Sequence, residues 1–158
     1  MHAPARPIDR YLAHYGDDHR NPMNQRVHLW CVPAIVWSIV ALLWALPVPE
    51  GVGRPGLWAA LAMLAALVFY WRLSRALGAG ALVLFVAMGA VAEALRMALG
   101  AAGLAWLALA VFVVAWIGQF LGHRIEGRRP SFLTDLVYLL IGPLWTLGKL
   151  YRRLGWRW

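Results

Sequence analysis

At 158 residues the chain is one domain on length alone. Its apolar residues make up 62% and its charged residues only 14%, against about 45–50% and about 25% in ordinary soluble domains, so a water-soluble globule is excluded and lipid must solvate most of the surface. The formal charge of +8 is spread over the segments between apolar runs; it suits basic loops facing anionic lipid and excludes a soluble basic domain that binds nucleic acid.

The first 28 residues are polar and carry Arg6, Arg10, Arg20 and Arg26, a pattern that predicts no cleavable signal. Within them Tyr15-Gly-Asp-Asp-His19-Arg-Asn21-Pro22-Met-Asn24-Gln-Arg-Val-His28 is the densest polar stretch. Asn21-Pro22 reads as a helix start, with Asn as the cap and Pro in the first helical position. Asp17 and Asp18 just upstream are expected to suit the positive end of that helix's dipole. His19 then lies in the preceding turn, free to fold back toward His28.

Four membrane spans are expected, at about 29–46, 57–71, 77–99 and 104–122. Pro33 is expected to kink the first, and the Pro47–Pro55 cluster ends it. The third is rich in small residues, which suits close packing in lipid, and its Glu93 and Arg96 are spaced to pair on one helix face near the far interface. The fourth carries Gln119 in its last turn, with His123, Arg124, Glu126, Arg128 and Arg129 following. A further apolar stretch, about 132–147, contains Asp135 and a Gly142-Pro143 break and reads as an interfacial or re-entrant helix. The fold class is therefore all-α: one membrane domain over 1–158, a four-span bundle with a C-terminal interfacial helix.

Charge placement supports that count. With four spans, all of the 15 Lys and Arg residues but Arg54 and Arg96 fall on one side, the asymmetry expected of a cytoplasmic face. A fifth crossing would move Lys149, Arg152, Arg153 and Arg157 to the wrong side. Both termini are thus expected in the cytoplasm. The Ala-, Leu- and Arg-rich composition points to a bacterial inner membrane.

An even number of crossings also brings His19 and His28, before the first span, to the same face as His123, after the fourth. Three converging imidazoles suit Fe, Zn or Cu. His28 follows Asn24 by four residues and His123 follows Gln119 by four, so each amide shares a helix face with its histidine and can hold the ring or a substrate oxygen. Glu126, one turn beyond His123, can serve as ligand, general base or partner of Arg128 or Arg129. His2 and His14 read as solvated polar residues, and the lone Cys31 excludes an internal disulfide.

The pattern Tyr15-x-x-x-His19-x-Asn21-Pro22-x-Asn24-x-x-x-His28, followed by Pro33, resembles the N-terminal signature of a family of small membrane proteins long filed as a domain of unknown function. A second stretch, Trp116-Ile-Gly-Gln119-Phe120-Leu-Gly122-His123 with Glu126, Arg129-Pro130 and Gly142-Pro143 beyond it, is similar to that family too. The resemblance covers most of the chain. It implies a membrane Fe(II)-dependent dioxygenase that uses O2 for the α-oxidation of a 2-hydroxy fatty acid to the acid one carbon shorter. By the same resemblance His19, His28 and His123 are implied as iron ligands, Asn24, Gln119 and Glu126 as their neighbours, and Tyr15 as a pocket residue. The rival readings are a non-enzymatic lipid-binding or assembly protein, a haem protein, and another metal-dependent lipid oxidase or hydroxylase; zinc or another transition metal can take the place of iron in a purified sample.

Overall fold

The computed structural model describes residues 6–127 and 137–156. Among the described residues it is all-helical: α1 Pro7–Asp17, α2 Pro22–Ala45, α3 Leu57–Leu73, α4 Arg75–Glu126 and α5 Val137–Arg153. Two of these, α2 and α4, are long and apolar enough to cross a membrane, and α3 is apolar but shorter. The outer surface is hydrocarbon, with Val83, Val86, Trp106 and Val114 all largely exposed, the arrangement expected where lipid takes the place of water.

The start of α2 is the one its sequence specifies. The Asn21 side chain accepts from the Met23 backbone N–H at 2.8 Å and Pro22 occupies the first turn, which satisfies one of the free N–H groups of a helix end. The helix continues through Pro33, and α5 likewise continues through Pro143. The expected break at Gly142-Pro143 is therefore a position inside a helix. Residues 132–136, Asp135 among them, and Arg128 and Arg129 lie outside the described residues.

The third and fourth expected spans are joined more tightly than their sequence suggested. A single residue, Gly100, interrupts α4 with φ 73° and ψ 171°, a region essentially restricted to glycine. Contacts on either side show a hairpin. The arm 75–99 runs alongside α2 in the same direction, Leu84 sharing a groove with Val36 and Gly89 meeting the Trp44 ring. The arm 101–126 runs back, with Leu104 and Ala108 against Ala41, and Gly118 and Gly122 facing Val27 near the start of α2. Helix α3 is antiparallel to the first arm, since Tyr70 stacks on Phe85 at 6.1 Å and Met63 reaches Gly89. Four helical legs thus alternate in direction.

Two amphipathic helices close one end of the bundle. The first, α1, has no counterpart among the expected elements. It packs on α5, with Tyr15, Ile141 and Trp145 forming a buried cluster. Asp17 is its last residue and Asp18 its cap, so the pair expected just ahead of the α2 dipole also terminates α1. Asp17 pairs with Arg20 at 2.8 Å. The Glu93–Arg96 pair forms as read, at 2.8 Å, and Glu93 also accepts from the Trp44 indole N–H at 2.8 Å. The helix pair α2 and α4 makes the most extensive contact in the molecule, and the site is built at one end of that contact.

Candidate metal centre

His19 stands in the turn between α1 and α2, His28 in the second turn of α2, and His123 in the last turn of α4. The ring centroids are 4.2 Å apart for His19 and His28, 5.0 Å for His19 and His123, and 4.8 Å for His28 and His123. One nitrogen of each ring lies within 4.8 Å of one nitrogen of each of the others. All three are buried, with relative exposures of 1%, 1% and 6%. Buried side-chain polar groups are normally paired, so three imidazoles facing one another away from water call for a common partner.

Hydrogen bonds set the direction of two of the rings. His19 Nδ1 is 2.6 Å from the Tyr15 carbonyl oxygen and His28 Nδ1 is 3.0 Å from the Asn24 carbonyl oxygen. A carbonyl can only accept, so each Nδ1 carries the proton and each Nε2 presents a lone pair. Neutral imidazole of this tautomer is the form that binds a metal. His19 Nε2 and His123 Nδ1 are buried with no hydrogen-bond partner. Burial holds the His19 imidazole below its ordinary pKa, against the opposing effects of the Tyr15 carbonyl, Asp18 and Glu126. This donor set fits a transition-metal ion.

The cavity between these rings encloses about 50 Å3, which exceeds the roughly 10–15 Å3 needed for one water and leaves room for an ion with small ligands. Tyr15, Val32, Ile35, Trp116, Gln119, Tyr138, Leu139 and Gly142 complete its lining. The Tyr15 ring lies flat on His19, 4.2 Å between centroids and 15° between planes. Burial, with Asp18 nearby, pushes the Tyr15 phenol above its usual range, so it stays a neutral hydrogen-bond donor. The close packing needs glycine at two places. A side chain at Gly122 would collide with Asn24 Oδ1, and one at Gly142 would come 3.0 Å from the Tyr15 hydroxyl.

The expected neighbours divide. Gln119 is buried, and its Oε1 has no partner. Asn24 holds His28 through its backbone carbonyl, while its side-chain amide donates to Glu126 at 2.9 Å. Glu126 also accepts from the backbone N–H of Arg20 at 2.9 Å and of Asn21 at 2.9 Å. Its carboxylate therefore sits on the N-terminus of α2, where the helix dipole favours negative charge, and ties the end of α4 to the His19 turn. Sequence spacing missed two further contributors. Trp145 of α5 lies 5.4 Å from both Tyr15 and His19. Gln25 donates to the His19 carbonyl at 2.6 Å and accepts from Lys149 Nζ at 2.5 Å. Gln25 stands three residues before His28 yet bonds to His19, six residues away, and Trp145 stands at no helical spacing from a histidine. His14 stacks at 5.1 Å on Tyr138, outside the three-ring cluster.

Fold and site together define a class: a helical bundle with an apolar outer surface and, at one end, a buried group of three histidines that could hold a metal ion. The profile of the family described as 2-hydroxy-palmitic acid dioxygenase Mpo1-like matches residues 5–154, and the chain belongs to that family. It is 28% identical to the 2-hydroxy-palmitic acid dioxygenase MPO1 of Saccharomyces cerevisiae over 146 residues, 91% of this chain and 79% of the yeast protein. No solved structure matches it.

Proposed function

We propose that this protein is an Fe(II)-dependent dioxygenase that converts a 2-hydroxy fatty acid to the acid one carbon shorter. The observation that carries the reading is the buried triad, with a nitrogen of each of His19, His28 and His123 within 4.8 Å of the others. Family membership and the yeast relative's name support the substrate class. The net reaction balances with O2 consumed, the C1–C2 bond broken, and CO2 and water released.

His19, His28 and His123 would hold the ion, and three protein ligands leave open positions on a metal that takes six. When bound, iron supplies the one-electron chemistry through which O2 reacts with an organic substrate. The chain's own residues do the rest. Carbonyl oxygens of Tyr15 and Asn24 keep two imidazoles in the ligating tautomer. Gln119 Oε1, buried and unpartnered, accepts a hydrogen bond from the substrate's 2-hydroxyl, and the neutral Tyr15 phenol donates one to a carboxylate oxygen. Val32, Ile35 and Leu139 line the cavity, keep bulk water out and receive the first carbons of the acyl chain. Glu126 acts by fixing the His19 turn to the start of α2.

The four alternating legs support four crossings, with the histidine end and both termini at the cytoplasmic face of a bacterial inner membrane, where substrate arrives through the lipid. Incubation of the iron-loaded protein with 2-hydroxypalmitate under O2 should yield pentadecanoate, and the apo-protein should yield none. Equal conversion by iron-loaded protein and chelator-treated protein would overturn the assignment.

A further inference from the structure

A second cavity lies beside the histidine pocket, between the Leu29–Val36 stretch of α2, Leu84 of α4 and the 143–153 portion of α5, and encloses about 350 Å3. Its walls are hydrocarbon, chiefly Val32, Pro33, Val36, Leu84 and Leu147, and its two charged lining residues, Lys149 and Arg153, are both cations. Lys149 is held in place: Nζ donates to Gln25 Oε1 at 2.5 Å and stands 4.0 Å from the centre of the Trp145 ring. Gln25 is in the first turn of α2, so the charged end of the groove is level with the start of that helix. Val36 lies eleven residues further along α2, about 16 Å at the rise of an α-helix. The groove is therefore cationic at one end and apolar along its length.

We propose that this groove binds a single-chain fatty carboxylate, its head between Lys149 and Arg153 and its acyl chain along Val36, Leu84 and Leu147. Charge complementarity names the head, because both cations line the cavity and no carboxylate does among the described residues. Size names the tail. The volume is at the lower end of the roughly 300–1,000 Å3 of small-molecule sites, which suits one chain and not the two of a phospholipid. Val32 lines both this groove and the histidine pocket, so the occupant rests one side chain away from the metal centre. Its class rests on the reading above, since a 2-hydroxy fatty acid and its shortened product are both carboxylates of this kind. The groove is a holding site next to the site of oxidation.

The test uses metal-free full-length protein in phosphatidylcholine nanodiscs with a palmitate probe bearing a diazirine near its methyl end, and maps the adducts by peptide mass spectrometry. Adducts are expected on Val36, Leu84 or Leu147. Unlabelled palmitate should compete at least about tenfold better than methyl palmitate, which lacks the charge, a comparison made on the wild-type protein. The double variant Lys149→Gln, Arg153→Gln should lose about tenfold in labelling, and Val36→Trp, which fills the groove and leaves both cations, should abolish it. Adducts confined to outward-facing residues such as Val83 and Val114, equal competition by the ester, or displacement by phosphatidylglycerol as effective as by palmitate would each overturn the proposal. Because labelling needs no metal, the two readings fail separately. A protein that shortens 2-hydroxypalmitate without groove labelling refutes the groove alone, and one that is labelled but never active refutes the dioxygenase alone.

Discussion

Each end of the α2–α4 contact is fastened by one glutamate, and the two fastenings differ in what they leave behind. At the Gly100 end Glu93 is shared between Arg96 and the Trp44 indole, and all three groups are hydrogen-bonded. At the histidine end Glu126 bridges Arg20, Asn21 and Asn24, yet His19 Nε2, His123 Nδ1 and Gln119 Oε1 beside it are buried without partners. An unpartnered buried polar atom costs about 1–3 kcal/mol, a cost that a purely structural cluster has no reason to keep. The first end is a strut, and the second is a strut built around a cavity. A metal ion held between the rings would give the two imidazole nitrogens their partner, and only the second end offers such a place.

The contrast is broken most directly at the histidines. His19→Ala, His28→Ala and His123→Ala should each lose bound metal and bring O2-dependent turnover to background while the protein still inserts into membranes. Metal analysis and oxygen uptake measure this, and full turnover by all three variants would remove the metal centre. The two glutamates sharpen the difference. Glu126→Ala should weaken metal affinity about 10–100-fold, the usual effect of losing a group that supports the ligands. Glu93→Ala should lower the melting temperature and leave metal affinity unchanged. Equal metal affinities in these two variants would mean that Glu126 does no more for the site than Glu93.

Gly100→Ala tests the strut end through its backbone. Nothing lies within 4 Å of a Cβ there, so any effect comes from the φ of 73° and should be about 1–3 kcal/mol of stability, with metal content per folded protein unchanged. A melting temperature equal to wild type would show that the hairpin does not need that conformation. The smallest effect is expected at Gln119→Leu. It should keep the iron and lose several-fold in preference for 2-hydroxypalmitate over palmitate, measured by competition for binding. An unaltered preference would take Gln119 out of substrate recognition.

Much of this was legible in the chain. The excess of hydrocarbon required lipid, Asn21-Pro22 specified where α2 begins, and the i to i+3 spacing of Glu93 and Arg96 specified their pair, because each depends on composition or on neighbours within one helical turn. The face shared by His28 and His123 followed from counting apolar runs. Other features depend on partners that no local pattern reveals. Helix α1 is stabilised by burying Tyr15 against Ile141 and Trp145 of α5, far away in sequence; the spacing of Ile8, Tyr11, Leu12 and Tyr15 marks an amphipathic helix but not the partner that covers it. With it came a place for Asp17 and Asp18 that the sequence alone did not show, at the end of α1. The expected gap between the spans 77–99 and 104–122 did not single out Gly100, whose φ of 73° appears only in the folded hairpin.

By itself, then, the sequence determined that this is a helical protein with apolar runs long enough to cross a membrane, that three histidines flank those runs, and that its family is the one their signatures resemble. Only the tertiary structure decided that Glu126 grips the start of α2, that Gln25 and Lys149 join the His19 turn to α5, and that a cationic groove lies one valine from the cavity. The physical reason is range. Hydrophobic solvation and helix capping act through composition and adjacent residues, whereas a hydrogen bond across 102 to 124 positions of chain exists only once packing has brought its two ends together.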